Sequence, residues 1–264
     1  MRANAVAASA APADASRLAL ADASERSFVV RLRDGLGLSP RVKSQLPSFD
    51  GRVAWQIANG ADGADAAPCA EPDLWITLTR DVAGLGGPRT ARPNVSVLVG
   101  ARIPIGLRDC GPIVACPEAE IEEVVLALAQ SIFWVALADQ VVSYDWSKIE
   151  SLLRSDCILT VSALPAGNAE AFAAAAINAV AHFHGRSRVE PDGLLLGIAS
   201  PGVLPLTQRR DFTRPLLALA GHNCQFLAGV HTQRVSQREA SLLLAYPIPG
   251  MPSDSVRPLR ARRE

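Results

Sequence analysis

Residues 118–153, EAEIEEVVLALAQSIFWVALADQVVSYDWSKIESLL, decide how the rest of the chain is read. Ile121, Val124, Val125, Leu128, Ile132, Val135 and Leu137 recur at helical spacing. Glu118, Glu120, Glu122 and Glu123 crowd the first turns, where carboxylates are favoured by the helix dipole. The spacing predicts one long helix over 118–142. Beyond Val124 its apolar residues cover much more than one stripe, so it is expected to lie buried between two layers or two domains. A short loop with Ser143 and Asp145 follows, then a second helix, WSKIESLL. Asp145 is a candidate N-cap for that helix, its carboxylate accepting from the backbone N–H of Ser147 or Lys148.

On the amino side, SFVVRL (27–32), RVAWQIA (52–58), DLWITLT (73–79), NVSVLVGARIP (94–104) and GPIVACP (111–117) read as strands. DLWITLT and NVSVLVGARIP are fully apolar at their centres, as strands covered on both faces are. Crossovers between the strands predict a parallel α/β sheet. The first strand runs into RDGLGLSPRVKSQL, a glycine turn and then a short helix with Ser39 and Pro40 at its start; NGADGADAAP (59–68) is a loop.

On the carboxyl side, CILTVSAL (157–164), DGLLLGIAS (192–200), CQFLAGVHTQ (224–233) and EASLLLAYPI (239–248) read as strands, the last two as a hairpin. Helices are predicted over 167–183, with Asn168 near the start and Gly185 just past the end, and over 206–222, bent or broken at Pro215. Together these make a small α+β layer with helices on one face. The expected organisation is a disordered arm (1–24), a reduced α/β domain (25–117), the central helix (118–142), a second domain (143–248) and a disordered basic tail (249–264).

Composition bounds the function. The 264 residues can bury one or two ordinary cores, 49% are hydrophobic, and 26 Lys and Arg balance 26 Asp and Glu. That balance argues against a duplex nucleic-acid partner or a polyanionic substrate. Five scattered cysteines (Cys69, Cys110, Cys116, Cys157, Cys224) without a CxxC give neither a zinc knuckle nor a disulfide framework, and a reducing cytoplasm is the expected compartment. The Ala-rich start carries Asp14 and Asp22 where a signal peptide would be apolar, and no apolar run reaches membrane-spanning length.

This order of elements resembles the FtsZ/tubulin family: a parallel nucleotide-type domain, a long central helix, a short acidic loop and a four-stranded second domain. The likeness is best from Ile121 to Tyr246. SYDWSKI lies in register with the family's Asn-x-Asp-x-x-Asp catalytic loop. DGLLLGIASPGVLPLTQRRDFTRPLLALAGHNCQFLAGVHTQ is similar to the family's Gly-Val-Leu-Leu-Asn-Ile-Thr-Gly strand, its adjoining helix and the strand that ends in Phe-Gly. The resemblance implies a GTP site between stacked subunits, with the loop's two acids activating water for the neighbouring copy.

Against that pattern Asp145 keeps the first acid, Ser143 stands for the Asn, and Lys148 stands for the second acid; a cation cannot take a proton from water at neutral pH. The family's Gly-Gly-Gly-Thr-Gly-Thr-Gly would come after DLWITLT, where this chain has RDVAGLGGPRTARP. Gly84, Gly86 and Gly87 run at once into Pro88 and Pro93, leaving too few residues for a two-turn helix at about 3.6 residues per turn. Gly35 and Gly37 could still hold one phosphate, though a plain β–α connection accounts for them.

No other group stands out. His182 and His184 sit at a helix end, where the dipole favours cations. His222 and His231 have no acidic partner at ligand spacing. Cys116 has no neighbour to lower its pKa, and Arg257, Arg260, Arg262 and Arg263 read as a solvated patch. The expectation is a protein with the two-domain fold and no catalytic residues, no cofactor and no metal, acting as a scaffold or assembly partner that binds proteins and self-associates head to tail. The alternatives are a weak GTP-binding filament former and an α/β enzyme on a small metabolite in the interdomain cleft.

Overall fold

The computed structural model describes residues 27–37, 46–59, 71–85, 92–100, 102–103, 107, 109–139, 146–187, 190–233 and 235–248. The arm, the basic tail, the helix expected after Ser39 and most of the 59–68 loop lie outside the described residues. Strands β1 (Phe28–Asp34), β2 (Val53–Asn59), β3 (Leu74–Thr79), β4 (Asn94–Val99) and β5 (Ile113–Cys116) are followed by helices α1 (Ile121–Ala136) and α2 (Trp146–Leu152). Then come β6 (Cys157–Pro165), α3 (Ala169–Ser187), β7 (Gly193–Ser200), α4 (Leu206–Leu219), β8 (Gln225–Thr232) and β9 (Glu239–Pro247).

All nine strands form one mixed sheet, in the order β2-β1-β3-β4-β5-β6-β9-β7-β8, parallel except where β9 runs antiparallel to β6 and β7. The first five strands meet the last four through two register pairs, Ile113 with Ile158 and Val114 with Leu159. The expected β8–β9 hairpin does not form. Residues 240–246 of β9 are buried throughout, so that strand needs a neighbour on each side and cover on both faces, while β8, half exposed at Gln225, Phe226 and Ala228, suits an edge.

In β1 and β3 burial alternates. Phe28, Val30, Leu32, Leu74, Ile76 and Leu78 face the core, whereas Arg31 and Arg33 stack on Trp75 at 4.9 and 4.4 Å from its ring centre, and Arg31 donates to Gln56 Oε1. Thus β3 is not apolar on both faces as its sequence suggested; in β4, Val95–Val99 are buried throughout.

Helix α1 bridges the two halves. Its Phe133 packs on Phe28, Phe49, Trp55 and Trp146. Farther along the sheet the helix backbone rests on a cross-strand row, Ser241 of β9, Gly197 of β7 and Gly229 of β8. A Cβ on Gly229 would lie 2.8 Å from the Val135 Cα, and one on Gly197 would lie 3.0 Å from the Gln130 carbonyl. Ser241 completes the seat by donating to the Ala127 carbonyl and sharing a hydrogen bond with Ser131.

The helix stops at Ala136, six residues short of the predicted Val142. The Leu137 N–H bonds back to Phe133, the Asp139 N–H donates to the Val230 carbonyl, and the Asp139 carboxylate accepts from the N–H and hydroxyl of Thr232. Docking on the end of β8 therefore replaces the next helical turn.

Helices α3 and α4 cover the opposite face of the second half, joined by an edge-to-face contact of Phe172 and Phe212 at 4.8 Å. Asn168 caps α3 as expected, its side-chain oxygen accepting from the Ala171 N–H at 2.7 Å. The helix continues through Gly185 to Ser187; an interior glycine lowers helix stability by about 1 kcal/mol without ending it. Nor is α4 broken at Pro215, although the ring leaves the Asp211 carbonyl without its helical donor.

Candidate functional site

Two places, at opposite ends of α1, collect polar groups. The first is the crevice at the carboxyl ends of β1, β3 and β4, next to the start of α1. It lies where the chain turns to β2 on one side of β1 and to β3 on the other, the point at which open α/β sheets take ligands. A cavity of about 180 Å³ there is lined by Leu36, Gly37, Arg80, Val99, Glu118, Ile121 and Glu122.

Gly35 and Gly37 are thus brought to the crevice. Gly37 has φ 70°, and a Cβ on Gly35 would lie 3.1 Å from the Leu78 carbonyl, so both have local reasons to be glycine. Asp34 is buried behind them, its carboxylate accepting from the Leu36 N–H.

Beyond β3 the backbone makes a single 3-10 turn, Val82–Gly84. Three amides here are engaged locally: that of Asp81 donates to Thr79 Oγ1, that of Ala83 to the Asp81 carboxylate, and that of Leu85 to the Val82 carbonyl. Gly86 and Gly87 lie outside the described residues. Arg80 pairs with Glu118 across the mouth, and Glu118, Glu120, Glu122 and Glu123 are all exposed around it.

The second place is at the carboxyl end of α1. Ser143 and Asp145 lie outside the described residues. Lys148 is exposed on α2, its carbonyl accepting from the Gln225 side chain, and the neighbouring Trp146 is buried against Phe28. A cavity of about 500 Å³ is lined here by Asp50, Pro201, Thr232, Gln233 and Val235. Beside it His231 is 3% exposed, its Nδ1 3.1 Å from the Leu137 carbonyl oxygen and its Nε2 3.7 Å from Asp50 Oδ2. Burial holds the imidazole below its ordinary pKa; Asp139, Asp50 and the Leu137 carbonyl oppose that shift and Arg52 adds to it. Sequence spacing gave His231 no acidic partner. Asp50 and Asp139 reach it only through the fold, from the turn before β2 and the end of α1, and no local signal marks either.

The four described cysteines are poor nucleophiles; Cys69 lies outside the described residues. Burial pushes the thiols of Cys110, Cys116 and Cys224 up to about 11 and that of Cys157 up to about 12. Among the described residues no three His, Cys, Asp or Glu come together as a metal site, and no helix is long and apolar enough to cross a membrane. The side chains of His182 and His184 lie outside the described set.

No family model and no curated protein matches this sequence. Solved structures match its architecture. An empty FtsZ dimer from M. jannaschii aligns with TM-score 0.62 at 10% identity, over 90% of this chain and 93% of that one. TubZ of Bacillus thuringiensis serovar israelensis, in GDP-form protofilaments, aligns with TM-score 0.51 at 9% identity, over 86% and 85%. CetZ1 from Haloferax volcanii, a GDP-bound monomer, gives TM-score 0.50 at 13% identity, over 86% and 96%.

Proposed function

From the FtsZ/tubulin-like fold that this chain has, we propose that it is a non-catalytic assembly partner, a scaffold that stacks head to tail on copies of itself or on a related protein without hydrolysing nucleotide. The observation that carries this reading is the charge on two separate parts of the surface, the start of α1 and the outer side of α4. The first is ringed by exposed carboxylates, Glu118, Glu120, Glu122 and Glu123. On the opposite face of the sheet α4 exposes Leu206 (65%) and Leu217 (55%), with Arg210 and Arg214 exposed between them, and Val203 (80%) is exposed in the turn before it.

The acidic patch is at the start of α1 and the basic one on α4, across the sheet, and no ion pair joins them within one copy among the described residues. Between copies they are complementary, and a heterologous contact of that kind repeats along a line. The crevice supports the absence of nucleotide chemistry. Glu118 and Glu122 line the cavity against one cation, Arg80, which is paired with Glu118, and the amides of Asp81, Ala83 and Leu85 after β3 are already bonded locally.

Sedimentation velocity at low and high salt, with and without GTP and magnesium, tests the proposal. Self-association that weakens with salt and ignores GTP is expected. Arg210→Glu with Arg214→Glu should abolish it, and mixing that variant with Glu120→Arg, Glu123→Arg protein should restore hetero-association. Assembly or thermal stability that depends on GTP would overturn the reading in favour of a weak GTP-binding filament former.

A further inference from the structure

The face of β1, β2 and β3 turned away from α1 carries charge that stacking does not use. Strand side chains alternate, so Phe28, Val30 and Leu32 go to the core while Arg31 and Arg33 go together to the other face. Both arginines are half-buried. Their guanidiniums lie at 4.9 and 4.4 Å from the centre of the Trp75 ring, so two like charges share one indole.

A sheet offsets such charge by placing an acid at a cross-strand position. Here the register puts Gln56 and Trp75 beside Arg31, and Ala58 and Thr77 beside Arg33. None is an acid. The nearest carboxylate along β3 is Asp73, level with Val29 and accepting from its N–H. Neither Arg31 nor Arg33 has a carboxylate partner among the described residues.

What the face offers instead is donors. Arg31 donates from Nε and Nη2 to Gln56 Oε1, which leaves the Gln56 NH2 as a further donor beside the pair. Asn94, opposite Trp75, accepts from the Thr77 hydroxyl at Oδ1 and keeps its own NH2 in the same way. Taking two neighbouring guanidiniums partly out of water without a counter-charge is costly. Stacking on the indole recovers part of that cost and fixes the guanidinium planes, so that the remaining N–H groups are held ready for an anion.

We infer that the Arg31, Trp75 and Arg33 cluster is a binding site for the dianionic phosphate group of a small phosphate monoester, held by both guanidiniums with the Gln56 amide beside them. One carboxylate matches one guanidinium fork; a phosphate dianion brings two charges and three acceptor oxygens, enough for both. The half-buried cluster, flanked by the uncharged Ala54 and Ala58, suits a compact group rather than the repeating phosphates of a nucleic acid. The site is separate from the crevice at the start of α1, whose lining includes none of these residues.

The test titrates the full chain with methyl phosphate at about pH 8, where the monoester is dianionic, at an ionic strength held constant with sodium chloride. Phosphorus NMR line broadening and the melting temperature follow binding. Saturation in about the millimolar range is expected, with acetate at least about tenfold weaker. Arg33→Gln should weaken methyl phosphate at least about tenfold, and Arg33→Lys should restore only part of that, since an ammonium lacks the fork.

Gln56→Glu is nearly isosteric and installs the missing acid beside Arg31. It should raise the melting temperature of the free protein and remove methyl phosphate binding, and it keeps the test decisive if Arg33→Gln fails to fold. Undiminished binding by Gln56→Glu or by folded Arg33→Gln overturns the inference. So does a native chain that shows no saturable binding and a melting temperature that follows ionic strength alone.

Discussion

Gly229 matters for the atom it lacks. A methyl there would lie 2.8 Å from the Val135 Cα and 2.9 Å from the Trp134 carbonyl, both backbone atoms of a buried helix that cannot turn aside. Gly229→Ala is expected to lower stability by about 1–3 kcal/mol, the usual range for overpacking, measured as a fall in the urea midpoint. Gly202→Ala, whose methyl meets nothing within 4 Å, is the control and should be near neutral. His231 gives a second residue-scale prediction. Its folded pKa lies below the ordinary value of 6.5, so on acidification the unfolded chain takes up the proton first. Stability should therefore be complete above about pH 6.5 and fall as pH drops below it, until the folded pKa is reached. His231→Gln should flatten that limb in urea titrations between about pH 7.5 and 5.5; an unchanged slope would remove His231 as the cause.

At the scale of elements, α4 offers a direct measurement. Pro215 sits inside a continuous helix and denies the Asp211 carbonyl a donor, so Pro215→Ala should raise the melting temperature, by the equivalent of about 1–3 kcal/mol. A lower melting temperature would mean that the ring's packing outweighs the missing bond. The strands were legible in the sequence because alternation and β-branched runs are local, and all nine lie within a few residues of where those runs fall. Their pairing was not. EASLLLAYPI is adjacent in sequence to CQFLAGVHTQ, which suggests a hairpin, yet its unbroken apolar run suits the interior place between β6 and β7 that it takes. The end of α1 was hidden for a similar reason: Val141 and Val142 continue the apolar pattern, while the bonds of Asp139 to Val230 and Thr232 that end the helix join residues far apart in the chain. Of the crevice, Gly35 and Gly37 could be seen in advance. The Asp50–His231 pair could not, because only the fold brings the two together.

At the scale of the whole molecule, the two halves share one sheet and one buried helix, and they should unfold together. Cys110 and Cys116 report on the first half and Cys157 on the second, all three buried with thiols pushed up to about 11 or 12. Their modification by a thiol reagent, the loss of far-ultraviolet circular dichroism and the change in Trp fluorescence should trace one common urea curve. Cys157 reacting in a separate earlier transition would show that the halves melt independently. The two-pair junction of β5 with β6 has a further consequence, in mechanics. A load drawn across that line meets only a narrow strip of backbone ladder, and most of the resistance falls to α1, which is seated on both sides. The helix is thus the rivet of the molecule, and a filament of such subunits would be as stiff along its length as the seating of that rivet allows.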